Sequence, residues 1–180
     1  MEKQPVIYTI GHSTHSAEEF IALLKAYEIK ALIDIRTIPK SRHNPQFNKE
    51  VLARVLRRRQ VSYTHIKNLG GLRKARKDSP NLGWHNSSFR GFADYMQSEK
   101  FDAGCIRAIS IAGRGRAALM CAEALPWRCH RSLVADALTV RGYRVHHIMS
   151  LTSAPVHTLT PFLVQDRTLT YPAPAPTPPR

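Results

Sequence analysis

Apolar residues in this chain gather in short unbroken runs. Between the runs they recur every three or four positions. The runs are "VIYTIG" (6–11), "ALIDI" (31–35), "VSYTHI" (61–66), "RAALMC" (116–121) and "YRVHHIM" (143–149). Runs of this length and composition predict buried strands. Between the first two, Phe20, Leu23, Leu24 and Tyr27 fall at helical spacing behind Ser16 and Glu19, the sequence form of a capping box. Asn48 precedes a second amphipathic stretch with Val51, Leu52, Val55 and Leu56 on one face. Ser88 caps a third, carrying Phe89, Phe92 and Tyr95 or Met96, and Asp102 caps a fourth, with Ile106 and Ile109 inside and Gly113 as its stop. Residues 129–141 form a fifth, with Leu133, Val134, Ala137 and Leu138 as its stripe and Gly142 at its end. Strands alternating with helices predict an α/β fold: a single domain, with a mostly parallel sheet of about five strands and helices on both faces.

The pattern breaks in two places. Residues 67–91 are polar and hold Gly70, Gly71, Pro80 and Gly83; a connection this long in a small domain is expected to be functional or mobile. From residue 151 onward the chain holds 7 of its 12 prolines. The expected division is therefore 1–150 as the α/β domain and 151–180 as an extended, largely disordered tail.

A length of 180 residues suits one domain with a proper core. No apolar run reaches the roughly 20 residues of a membrane span, and the N-terminal apolar stretch is too short for a secretory signal. The three cysteines lack disulfide-framework spacing. A cytoplasmic protein without a membrane partner is expected. Charge changes the picture more. The net charge is +14, and residues 40–77 contribute +11 of it from twelve Lys or Arg against Glu50 alone. A field this one-sided attracts nucleic acid or nucleotides; it also suits a solvated face that aids solubility.

In open parallel sheets ligands bind beyond the carboxyl ends of the strands, so the residues following each run are the candidates. They are Gly11, His12 and Ser13; Asp34, Arg36, Ser41 and Arg42; His65, Gly70, Gly71 and Arg73; Cys121 and Glu123; and His146 and His147. Cys129, His130 and Arg131 open the last helix, where free backbone N–H groups attract anions and lower the pKa of a thiol. Cys129 is the candidate thiolate and Cys121 its possible partner, with Glu123 and His130 as acid/base or orienting groups. Arg131, His12, Ser13, Asp34, Arg36, Ser41, Arg42, Gly70 and Gly71 are the candidate substrate contacts. Blander readings stand beside these: Cys121 as a packed thiol on an apolar strand, Asp34 and Arg36 as a structural ion pair, His12 and Ser13 as a turn cap. Cations at a positive helix end are poorly placed unless an anion joins them.

Zinc is a weaker reading. Cys121, Cys129 and His130 are suitable ligand types, but their spacing matches no common zinc pair. No cofactor is expected. The C-x5-R loop of phosphatases would need arginine at 127, where Trp127 stands.

Five ordered motifs, "TIGHST", "IDIRTIPKSRHNPQFN", "LGGLRK", "GFADYM" and "LMCAEALPWRCHRSLVADAL…RGYRVHHI", resemble the uncharacterised family called domain of unknown function 488, over roughly residues 6–149. The family's C-x-E…C-H-R pattern falls on Cys121, Glu123, Cys129, His130 and Arg131, its GHS on Gly11, His12 and Ser13, and its D-x-R…P-x-S on Asp34, Arg36, Pro39 and Ser41. The resemblance implies an α/β fold and no established activity. The leading expectation is a thiol-dependent enzyme acting on a phosphate-bearing substrate, nucleic acid or nucleotide. The alternatives are a non-catalytic nucleic-acid-binding module with structural cysteines and a zinc-binding protein.

Overall fold

All five apolar runs become strands of one sheet in the computed structural model, which describes residues 4–174. β1 (Val6–Gly11), β2 (Ala31–Asp34), β3 (Ser62–His65), β4 (Ala117–Cys121) and β5 (Arg144–Ile148) lie in the order β3-β2-β4-β1-β5. Every pairing is parallel. The three central strands are almost wholly buried, which is why they read as continuous apolar runs. The helices are α1 (Ala17–Ala26), α2 (Lys49–Arg57), α3 (Ser87–Tyr95), α4 (Glu99–Ala112) and α5 (Arg131–Val140).

Strand alternation divides the core into two layers. On one face Ile10, Leu32, Ala118, Met120 and Ile148 pack with Phe20 and Leu24 of α1 and Leu52 and Leu56 of α2. On the other, Ile7, Ile33, Leu119, Cys121 and Val145 pack with Phe92 of α3, Phe101 and Cys105 of α4 and Leu133 and Val134 of α5. The connections leaving β1 and β2 therefore go to one face, and the connection leaving β4 goes to the other. Since β4 lies between β1 and β2, the chain parts on both sides of its carboxyl end. That divergence opens the crevice in which an open α/β sheet binds ligands.

Local signals explain most boundaries. The Ser16 hydroxyl accepts the Glu19 N–H at 3.1 Å and the Glu19 carboxylate accepts the Ser16 N–H at 2.7 Å, completing the capping box of α1. Two helix starts differ from expectation. α3 is capped by Asn86, whose side chain accepts from Ser88 and Phe89, and α4 begins behind Ser98, a full turn before Asp102. The inward stripe of α4 is Phe101, Gly104, Cys105 and Ala108. Ile106, expected inside, is exposed, because small residues on the buried face leave the larger isoleucine outside the periodic signal. Asp102 instead pairs with Arg141 at 2.6 Å.

The segment from residue 151 was expected to be a disordered tail, and over 151–174 it is packed on the domain. It forms a short antiparallel pair, β6 (Val164–Gln165) with β7 (Leu169–Thr170), and buries Tyr171 completely. The buried Asp136 carboxylate on α5 fastens it, accepting from His157 Nε2–H (2.9 Å), Thr160 N–H (3.0 Å), Thr160 Oγ1–H (2.7 Å) and Tyr171 O–H (3.0 Å). Proline content alone conceals these four donors. The last part of the expected tail, 175–180, lies outside the described residues. The polar stretch 67–91 is also tied down: the buried Asp94 carboxylate accepts from Ser79, Asn81 and the Arg76 N–H, and the Arg73 guanidinium stacks 3.6 Å from the Tyr95 ring centroid. Among the described residues no helix is long and apolar enough to cross a membrane.

Candidate functional site

The crevice at the end of β4 contains a cavity of about 390 Å³, lined among others by His12, Arg36, Lys40, Ser41, Cys121, Glu123, Arg128, Cys129 and His130. Three strand ends supply it, as the topology requires. Parallel pairing continues past the strands: the His12 N–H donates to the Cys121 carbonyl and the Ser13 N–H to the Ala122 carbonyl, both at 2.9 Å, while the Ile35 N–H donates to the Met120 carbonyl at 2.9 Å. The chain after β1 is thus registered against the loop after β4. Gly11 permits this, because a Cβ there would strike the Glu123 carbonyl.

Cys121 ends β4 and Cys129 lies two residues before the first residue of α5, and their sulfurs are 2.8 Å apart. Both are free thiols, 2% and 7% exposed, and both face the cavity. Cys129 Sγ also accepts the Arg131 backbone N–H at 3.4 Å. Two ionisable groups in contact titrate as a unit. The hydrogen bond shared with Cys129 holds Cys121 below the usual thiol range; burial opposes this and the Arg131 guanidinium assists it. The same hydrogen bond, with burial, pushes Cys129 far above that range. The two directions are opposite, lower for Cys121 and higher for Cys129, so the pair gives up one proton and keeps the other. The cause is the sulfur–sulfur contact, which spacing in the sequence does not reveal.

His130 stands 3.5 Å from the Cys129 sulfur through Nδ1. Its Nε2–H donates to the Ile35 carbonyl at 3.3 Å, so Nδ1 is the acceptor side of a neutral ring. Burial lowers the His130 pKa to about 4. His12 is neutral for the same reason, its pKa lowered to about 4 chiefly by burial. Its Nδ1–H donates to the Ser13 carbonyl (2.9 Å), and Nε2 accepts Arg36 Nη1–H (3.3 Å). The ring stacks on Phe47 with centroids 4.2 Å apart.

Arg36 is held by a buried carboxylate. Its Nη2–H donates to Asp34 Oδ2 at 2.6 Å and to the Phe47 carbonyl at 2.7 Å, and its Nε–H to Asp34 Oδ1 at 3.0 Å. Tyr63 O–H also donates to Asp34 Oδ2 at 2.6 Å; burial first, then this bond to a carboxylate, pushes the Tyr63 hydroxyl up. Asp34 acts behind the wall, fixing Arg36, which faces the cavity.

Arg131 lies beneath the cavity instead of facing an anion in it. It is 1% exposed and absent from the lining. Its Nη2–H donates to the Ala124 carbonyl at 3.0 Å, while Nε and Nη1 have no partner among the described residues. A buried guanidinium needs a compensating charge, and its field reaches both sulfurs. Glu123 lines the rim, exposed, its carboxylate accepting the Leu125 N–H at 3.2 Å. Gly71 lines the cavity where a Cβ would strike the His130 ring, and Gly70 is buried against Thr37. Ser41 is at the wall, its hydroxyl accepting the Asn44 N–H at 3.0 Å. Ser13 forms the adjoining turn at φ 45° and Arg42 is exposed; neither lines the cavity. His65 is turned to the Arg36 carbonyl, Nε2–H donating at 2.7 Å.

Sequence reasoning passed over Lys40, Arg128, Thr37, Ile38, Leu72, Ser88 and Phe89 as lining residues. Lys40 and Arg128 lie inside the quoted motifs, next to Ser41 and Cys129, and that adjacency is a signal for both. Phe89 was assigned to a helix core because its spacing there is also correct.

Two thiolates on one zinc, each about 2.3 Å from the metal, sit well over 3 Å apart; these sulfurs are closer, and no group of three or more His, Cys, Asp or Glu among the described residues is arranged to hold a metal. The fold and site define an α/β protein with a parallel sheet whose central strand ends in a paired-thiol cavity. Residues 16–138 match the family described as "Domain of unknown function DUF488", which is more than half of the chain. The chain belongs to that family. Searches of the curated proteins and of the solved structures return no significant match.

Proposed function

We propose that this protein is a thiol-dependent enzyme acting on a phosphate-bearing substrate, a nucleotide or nucleic acid. The carrying observation is the contact of two thiols at 2.8 Å on a cavity floor, above a buried guanidinium with no carboxylate partner. In this reading Arg131 offsets the charge of a Cys121 thiolate, and Cys129 retains the shared proton. Neutral His130 presents its Nδ1 acceptor to the Cys129 sulfur, and neutral His12 orients the Arg36 guanidinium. Lys40, Arg128 and the Arg36 guanidinium attract the anion, and Ile38, Leu72 and Phe89 give its uncharged part an apolar wall.

The test is a thermal-shift screen of nucleoside monophosphates and short single-stranded oligonucleotides on wild type and Cys121→Ser. Binding to the folded state raises the midpoint whatever the reaction. A shift with phosphate-bearing ligands, followed by their chemical conversion in wild type and none in Cys121→Ser, supports the reading. No shift with any phosphate-bearing ligand overturns it.

One observation favours a second reading, a non-catalytic nucleic-acid-binding module. Arg57, Arg58 and Arg59 are all exposed at the end of α2. It predicts steeply salt-dependent binding that survives in a Cys121/Cys129 double serine variant and fails when the three arginines are neutralised.

A further inference from the structure

Cys121 and Cys129 are separated by seven residues, and both ends of that loop are fixed. The β4 end is held by the His12 and Ser13 backbone bonds, and the α5 end by the Ser132 hydroxyl and N–H, which donate to the Cys129 carbonyl at 2.9 and 3.0 Å. The loop between passes within contact of Gly11. The sulfurs thus meet without a covalent link, held by the backbone around them. A disulfide of about 2.0 Å needs only small side-chain rotations from this position. The third cysteine is the internal contrast. Cys105 is fully buried on α4, has no sulfur partner, and burial pushes its thiol up to about 12.

We propose that Cys121 and Cys129 form a reversible disulfide on reaction with a hydroperoxide, and that this closure switches the site off. The inference rests on the reading of the pair as a reactive thiol site. Access chooses the oxidant: the sulfurs are nearly buried on the floor of a cavity of about 390 Å³, which admits a small hydroperoxide and excludes the disulfide of another protein.

The chemistry balances in two steps. The Cys121 thiolate attacks the distal peroxide oxygen, the O–O bond breaks, and the leaving alkoxide or hydroxide takes a proton to become alcohol or water. Cys121 is now a sulfenic acid. The Cys129 sulfur then attacks the Cys121 sulfur, the S–O bond breaks, and hydroxide leaves with the Cys129 proton as water. Two thiols are oxidised and one peroxide is reduced. Contact between the sulfurs lets the second step outrun further oxidation of the sulfenic acid. Closure removes both the nucleophile and its negative charge, and leaves Arg131 without its compensating anion.

The experiment treats the full chain with hydrogen peroxide at pH 7, then counts free thiols and maps peptides by mass spectrometry. Iodoacetamide alkylation of the untreated protein runs in parallel. The expected result is loss of two of the three free thiols, a Cys121–Cys129 linked peptide, unreacted Cys105, and recovery of both thiols with dithiothreitol. In Cys129→Ser, dimedone should trap a sulfenic acid at Cys121. Retention of all three thiols, or Cys121 running on to sulfinic acid in wild type, overturns the switch. If alkylation is nevertheless fast, the reactive-thiol reading stands without it; if alkylation is slow as well, both fall.

Discussion

Asp136 and Arg131 are both buried on α5, and their surroundings differ in how far hydrogen bonding is completed. Four donors reach the Asp136 carboxylate, and the chain of bonds continues outward: His157 Nδ1 accepts His147 Nε2–H at 2.9 Å, and His147 Nδ1 accepts Thr9 Oγ1–H at 2.7 Å. Burial keeps His147 neutral, lowering its pKa to about 3. Every member is matched. A completed buried network holds one arrangement in place, and here it locks the segment after β5 onto the sheet. At the start of the helix Arg131 leaves Nε and Nη1 without a partner among the described residues, and two thiols press together beside it. Buried groups left short of partners call for an explanation. The first cluster is fastening, and the second is the one on which the proposed chemistry rests.

The largest expected effect breaks the fastening. Asp136→Ala strands four donors, and urea unfolding should show a loss of about 3–5 kcal/mol. A loss below about 1 kcal/mol would erase the contrast between the clusters.

A graded loss should follow pH. His12 and His130 titrate near 4, and His147 near 3, when folded, against about 6.5 when unfolded. The unfolded chain binds more protons between those values, so stability is full above about pH 6.5 and declines as pH falls toward 4. Urea midpoints from pH 7.5 to 4 check this; a flat profile would mean that these rings are not held neutral.

Gly11→Ala should cost about 1–3 kcal/mol by overpacking, since its Cβ meets the Glu123 carbonyl. It should also slow thiol alkylation by shifting the loop that holds the sulfurs together. Smallest in stability and largest in chemistry is Cys121→Ser, expected to cost about 1 kcal/mol or less while removing rapid alkylation. Equal loss of folding and reactivity would place Cys121 with the fastening cluster.

The sheet was legible because its three central strands are almost wholly buried and print as apolar runs. The rim was legible because a parallel sheet gathers whatever follows its strands. Where signals failed, the cause was long-range partnership. His157, Thr160 and Tyr171 read as a proline-rich tail because their meaning lies in Asp136, which is far away in sequence. Arg131 read as a substrate contact because its position at a helix start is local information, while its burial depends on the fold around it. The coupling of the two thiols escaped for the same reason: Cys129 has the better local setting, and its contact with Cys121 does not show in the spacing. Ile106 shows a smaller failure, in which glycine, cysteine and alanine made the true buried face of α4 the quieter one.

The central claim, that the paired sulfurs hold a thiolate at neutral pH, is tested most directly by the pH dependence of iodoacetamide alkylation, read site by site by mass spectrometry. Modification of Cys121 at pH 7 should be faster than that of free cysteine, with a midpoint below the roughly 8.5 of an ordinary thiol, and Cys105 should stay unmodified in the folded protein. Alkylation of Cys121 no faster than free cysteine across that range, or equal reaction at all three cysteines, would contradict it.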